Sequence, residues 1–222
     1  ECIVKNNSAY LHGGGIYIGA SNNAILQNSE ISGNSIIHPT TSFGGGIKIN
    51  FSTITITGLS VSQNSAYTGG GINLFRSDVN LVNSIFWNNL PEEVSFNETD
   101  TPNSITISYS NIEGGEAAIV TNDNGTVNWL EGNIDANPHF CDPENGDYTL
   151  AENSPCVGAG QDGANMGALG VGCDVFLVPT EIFFSEYGEG NGDNRYLEIY
   201  NGTGADYDLS TLSLSNCTNG CD

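Results

Sequence analysis

Basic side chains are scarce in this sequence: 4 Lys and Arg stand against 26 Asp and Glu in 222 residues, a formal net charge of −22. Affinity for nucleic acid comes mainly from neutralising phosphates with Lys and Arg, so a nucleic-acid partner is excluded, and an anionic membrane surface with it. No run approaches the roughly 18–20 apolar residues that a transmembrane segment needs. No stretch repeats its apolar residues every 3.6 positions, which removes amphipathic helices. CxxC, HExxH, Walker and GxSxG motifs are all missing, and with them the common zinc, nucleotide and serine-hydrolase signatures. Gly158 to Gly163 matches GxGxxG, but Pro155 precedes it and Gly167 and Gly170 follow, where a dinucleotide site needs a strand and then a helix. Charged residues are 14% of the chain and hydrophobic ones 38%, so it can still bury a core. Six cysteines among abundant Asn, Ser, Thr and Gly fit an oxidising compartment, extracellular or at the cell surface.

Self-similarity is plain. Gly-Gly-Gly-Ile occurs at 13–16, 44–47 and 69–72, and Asn-Ser-Ala-Tyr at 7–10 and 64–67. Each glycine block is followed by a short alternating run (Ile16-Tyr17-Ile18, Ile47-Lys48-Ile49, Ile72-Asn73-Leu74), a polar turn, two further runs and an Asn. Alternation of period two predicts strands with one buried face, three short ones per repeat. One such repeat cannot repay about 1–2 kcal/mol of backbone entropy per residue, so repeats must stack, each strand pairing with its copy about 4.8 Å away. The fold class is therefore all-β, a parallel β-solenoid. A charge at a repeated position would face its own copy, which disfavours charge in the coils. The net charge divides accordingly: −4 over 1–112, −11 over 113–178 and −7 over 179–222.

The string Asn83-Ser84-Ile85-Phe86-Trp87-Asn88-Asn89, then Tyr109-Ser110-Asn111-Ile112, Gly132 to Phe140, Asp147-Tyr148-Thr149-Leu150, Ser154-Pro155-Cys156 and Met166-Gly167-Ala168-Leu169-Gly170 resembles the end of secreted bacterial right-handed parallel β-helix proteins. These are related in shape to pectate lyases and polymorphic outer-membrane repeat proteins. Beyond Cys173, Thr180 to Gly188 and Arg195 to Gly204 resemble the opening of a lamin-tail domain, an immunoglobulin-like β-sandwich of which only the first part is present. The expected organisation is coils over 1–112, an acidic irregular cap over 113–178 and the incomplete sandwich over 179–222.

In solenoid enzymes that cleave polysaccharides, the resemblance implies chemistry on side chains pointing outward from one strand row. The corresponding row here reads Tyr17, Lys48, Asn73, with Arg76 nearby, and these four are the ligand-face candidates. A hydrolase needs paired carboxylates roughly 5–10 Å apart. Aligning repeats places Glu30 over Ser60 and Ser84, and Asp78 over Thr53 and Asn22, so no acidic pair is expected and Lys48 and Arg76 read as solvated. No cofactor is expected; Asp135, Asp142, Asp147 and Asp162 are candidates for calcium, without an EF-hand pattern. Two of Cys141, Cys156 and Cys173 are expected to be bridged, Cys217 and Cys221 to close a small loop, and Cys2 to lack a partner. Three functional readings stand open: a non-catalytic adhesion, display or carbohydrate-contact module with a polysaccharide or cell-surface glycan as partner; a polysaccharide lyase or glycoside hydrolase; and a spacer for downstream domains.

Overall fold

The structure is a computed structural model that describes residues 2–38, 40–98, 101–175, 182–189 and 195–201. It is all-β, with a parallel solenoid of about six turns. Nineteen strands occur in chain order: β1 (Cys2–Lys5), β2 (Ser8–Ala9), β3 (Ile16–Gly19), β4 (Asn22–Ser32), β5 (Ser35–Ile36), β6 (Ile47–Asn50), β7 (Thr53–Ser62), β8 (Ile72–Phe75), β9 (Asp78–Val82), β10 (Ile85–Trp87), β11 (Val94–Phe96), β12 (Asn103–Ser108), β13 (Asn111–Ile112), β14 (Gly125–Trp129), β15 (Phe140–Asp142), β16 (Asp147–Ala151), β17 (Val171–Cys173), β18 (Ile182–Glu189) and β19 (Arg195–Asn201).

The first row of the solenoid is β3-β6-β8-β11, and the main sheet runs β1-β4-β7-β9-β12-β14, with β10 and β13 continuing its third face. Registry puts like on like. Ile18, Ile49, Leu74 and Phe96 stack inward, as do Leu26, Ile56, Leu81, Ile107 and Trp129, and Ile31, Val61, Phe86 and Ile112. Seventeen buried residues of the solenoid, ten of them in these ladders, form one core, each large side chain worth roughly 1.5–3 kcal/mol of burial. The second and third runs, expected as separate strands, are fused in β4 and β7 and merely bent at Asn28 and Gly58, both at positive φ.

Each complete coil turns at left-handed residues, which Gly and Asn adopt most cheaply. Gly13, Gly44 and Gly69 turn the chain into row one; Asn28, Gly58 and Asn83 turn it before row three. A Cβ on Gly44 would lie 2.3 Å from the Ile47 carbonyl oxygen, which explains why that position repeats as glycine. After row three an asparagine ladder ties the coils. The side-chain oxygen of Asn34 accepts from Asn7, that of Asn64 from Asn34 and that of Asn89 from Asn64, each through backbone N and Nδ2.

The coils continue past the boundary expected at 112: β14 pairs with β12, and Ile134 bridges Asn111. The segment expected to cap the solenoid end does something else. Residues 137–173 lie along its flank, over the outward side of row three, where Phe140, Tyr148, Leu150, Cys156 and Met166 bury Ile85 in a second core. Tyr148 OH donates to Gln63 Oε1 (2.9 Å), Gln161 N to Asn83 Oδ1 (2.7 Å) and Ala168 N to Ser60 Oγ (3.0 Å). A disulfide joins Cys141 to Cys173 across this strap. Of the tail, β18 and β19 form an antiparallel pair within a separate compact unit, 177–222; Cys217 and Cys221 lie outside the described residues.

Candidate functional site

The predicted row exists: Tyr17, Lys48, Asn73 and Ser95 stand in register on β3, β6, β8 and β11. Its accessibility is the correction. Lys48 is 2% exposed and Asn73 fully buried, because the aromatic rings of Phe43 and Phe75 close over the row, 5.2 and 5.6 Å from Lys48 Nζ. The amine donates to Asn73 Oδ1 and to Asn97 Oδ1 (3.0 Å), and Asn73 passes a hydrogen bond on to Ser95 Oγ (2.7 Å). Lys48 is therefore an internal strut between coils rather than a solvated face residue. Burial without a carboxylate partner pushes its amine down to about 7. His12, tilted against Phe43 and stacked toward Tyr17, is lowered by burial and then by Lys48.

Tyr17 remains open, 52% exposed, its hydroxyl accepting from Asn50 Nδ2 at 2.8 Å. The open surface continues at the corner that leaves row one, where Ala20, Phe51 and Arg76 stack on successive coils. All three hold positive φ: 50, 49 and 48°. The other corners include Gly or Asn; this one has neither, although a Cβ in the left-handed region costs about 1 kcal/mol or more. Phe51 is 53% exposed. The Arg76 guanidinium lies 5.6 Å from its ring and 5.3 Å from that of Phe75, and the two rings meet edge to face. Beside them a cleft of about 380 Å³ is lined by Asn22, Phe51, Ser52, Thr53, Arg76, Asp78 and Thr101. Asn22, Thr53 and Asp78 are in register on three coils, so the cleft runs along the solenoid axis. Farther along row two the outward positions are Ile25, Thr55, Asn80, Thr106 and Asn128, which bring neither an acid nor a base.

An acidic pair does occur, contrary to the repeat alignment. Glu93 accepts from Asn89 N (2.9 Å) and from Asn89 Nδ2, ending the asparagine ladder with a carboxyl group. It also hydrogen-bonds Glu113, and burial first, then this neighbour, pushes it up to about 8 against the pull of Asn89. Glu113 in turn accepts from Asn88 N at 2.6 Å. Two carboxyl groups in hydrogen-bond contact do not have the roughly 5–9.5 Å separation of glycosidase pairs. A second register correction applies to row three, where Ser60 stacks on Ile85 rather than Ser84.

Of the four calcium candidates, Asp142 and Asp147 serve local turns and Asp135 links two coils. Asp135 accepts from Gly114 N, Asp142 from Asn145 and Asp147 from Thr149, while Asp162 sits at positive φ in a short 3₁₀ turn. Among the described residues no group of three His, Cys, Asp or Glu converges. Cys156, expected as one of three bridge candidates, is a free thiol buried against Asn111 Nδ2 (3.2 Å), and burial raises it to about 11. Cys2 is free and exposed.

Sequence reasoning found Arg76 and missed Phe51, its stacked neighbour. The signal was available in the alignment, since Ala20, Phe51 and Arg76 occupy a corner where Gly or Asn would be the default. Comparison with curated proteins and with solved structures returns no match. A family model described as the right-handed beta helix region matches residues 1–155.

Proposed function

This chain belongs to the right-handed β-helix family, and from that premise we propose that it is a non-catalytic extracellular module that contacts carbohydrate through the corner of Phe51 and Arg76. The observation that carries the reading is the placement of a half-exposed aromatic ring and a stacked guanidinium at left-handed positions. Backbone strain of this kind persists where the side chain it presents is used. Aromatic rings flanked by a few hydrogen-bonding groups are the chemistry of sugar contact: the ring takes the apolar face and the polar groups take hydroxyls. The Cys141–Cys173 disulfide supports an oxidising compartment. The lyase reading loses support in the row of Tyr17 and Asn73, because Lys48 is sealed there beneath Phe43 and Phe75. We read the tail unit as the opening of a lamin-tail sandwich, carried by the solenoid.

The test is affinity electrophoresis of the full chain through gels containing a panel of polysaccharides. Retardation by at least one glycan, weakened roughly tenfold in Phe51→Ala, is expected. No retardation by any of them overturns glycan contact; release of reducing ends or unsaturated products overturns the non-catalytic part.

A further inference from the structure

The strap, the sealed Lys48 row and the Glu93 pocket are internal devices; the cleft beside Phe51 is open and has a definite polarity. We propose that this cleft takes a neutral pyranose unit, by its apolar ring face and a pair of adjacent hydroxyls, and rejects chains of uronic acids; the inference rests on the carbohydrate reading above.

The lining decides the class. Among the described residues, one cation, Arg76, and one carboxylate, Asp78, line the same space, with the Asn22 amide and the Thr53 and Thr101 hydroxyls around them. Each sugar hydroxyl both donates and accepts. A guanidinium that only donates and a carboxylate that only accepts therefore divide two adjacent hydroxyls between them, while the amide does either. The exposed side of Phe51 receives the C–H face of the ring. A uronate would bring a carboxylate into a space where the exposed Asp78 already stands, and like charges about 4 Å apart at a protein surface repel by about 1–4 kcal/mol. Arg76 does not offset this alone, since it already faces Asp78. Nor does the surrounding surface: over 1–112 the other bases are Lys5 and Lys48, and Lys48 is enclosed. A polyuronate, charged at every unit, would also approach a protein of net charge −22, a repulsion that reaches roughly 8 Å at physiological ionic strength. Because the cleft spans three coils in register, successive units of a neutral chain have room to follow the axis.

The experiment uses the full chain in gels containing neutral polysaccharides (galactan, xylan, mannan, β-glucan) or polyuronates (polygalacturonate, alginate), at low and physiological salt. A neutral glycan is expected to retard the protein and polyuronates not. Phe51→Ala should weaken that retardation roughly tenfold, and Asp78→Asn should weaken it while admitting polyuronate that the unaltered chain refuses. Retardation by polyuronate alone, or by both classes equally, overturns the inference and leaves glycan contact standing. Neutral retention untouched by both substitutions overturns the placement of the site. Failure of every gel overturns the carbohydrate reading itself.

Discussion

Replacing Glu93 with Gln tests the buried carboxyl that ends the asparagine ladder. In the folded chain Glu93 takes two donors from Asn89 and meets Glu113, which is satisfactory only while one carboxyl keeps a proton. Its pKa rises from 4.5 to about 8 on folding, so the folded state holds a proton that the unfolded chain releases above about 4.5. The contribution of Glu93 to stability is thus fully present below pH 4.5 and lost progressively as pH approaches 8. Each unit of displacement is worth about 1.4 kcal/mol; with water in the adjoining pocket of about 290 Å³ screening part of it, a loss on the order of 2–5 kcal/mol is expected. Glutamine mimics the protonated acid toward Glu113, donating through Nε2, but gives up one acceptor for Asn89, a cost of about 1 kcal/mol. Urea unfolding of the full chain between pH 4 and 8 should therefore give curves that cross: Glu93→Gln less stable at pH 4, more stable at pH 8. General relief of charge repulsion at low pH affects both proteins and cancels in the comparison. A constant difference between them across this range would refute the reasoning.

Lys48 has the opposite sign and a different window. Its amine falls from 10.5 to about 7 on folding, so the stability it withholds below pH 7 returns as pH rises toward 10.5; Lys48→Met should gain on the unaltered chain at pH 6 and lose to it at pH 10, read as urea midpoints. The two groups together predict a stability minimum near pH 7–8 in the unaltered protein. Asn64→Ala removes four side-chain hydrogen bonds linking three coils and should cost about 3 kcal/mol or more, seen as a lowered midpoint. Opening Cys141–Cys173, which spans 32 residues, should cost about 3–4 kcal/mol in the chain-entropy account, with hydrogen exchange rising in the strap before the coils. Arg76→Asn places a tolerant residue at φ 48° and should leave stability equal or up to about 1 kcal/mol higher while abolishing glycan retardation, a separation of folding from binding in one substitution.

The solenoid was legible because its determinants are periodic. Ile47, Ile49, Ile72 and Leu74 announce a buried face by alternation, and the glycine triplets mark the same corner three times. Register in row one followed directly, so Tyr17, Lys48 and Asn73 align as expected. The burial of Lys48 and Asn73 was not legible, since an outward-pointing residue is exposed only if nothing covers it, and the cover is Phe43, ahead of the glycine triplet, and Phe75, at the end of β8. The flank position of 137–173 escaped for a related reason: Tyr148 and Met166 reach Gln63 and Ile85 through contacts no repeat encodes. Glu93 was hidden because it replaces an asparagine in a ladder with a different side chain four residues after Asn89.

The strap also sets an order of assembly. Contacts between neighbouring coils join residues mostly 22 to 33 apart in sequence, whereas the strap reaches back 78, 85 and 108 residues. Loop closure over the longer spans is entropically dearer and has no surface to land on until row three exists. Coils should therefore form first by propagation from neighbour to neighbour, and the strap should dock afterwards as a single late event. Oxidation of Cys141 with Cys173 then records completion: a chain whose coils are misregistered offers Ile85 and Ser60 in the wrong places, leaves the strap unseated, and keeps both thiols open to the cell's quality control.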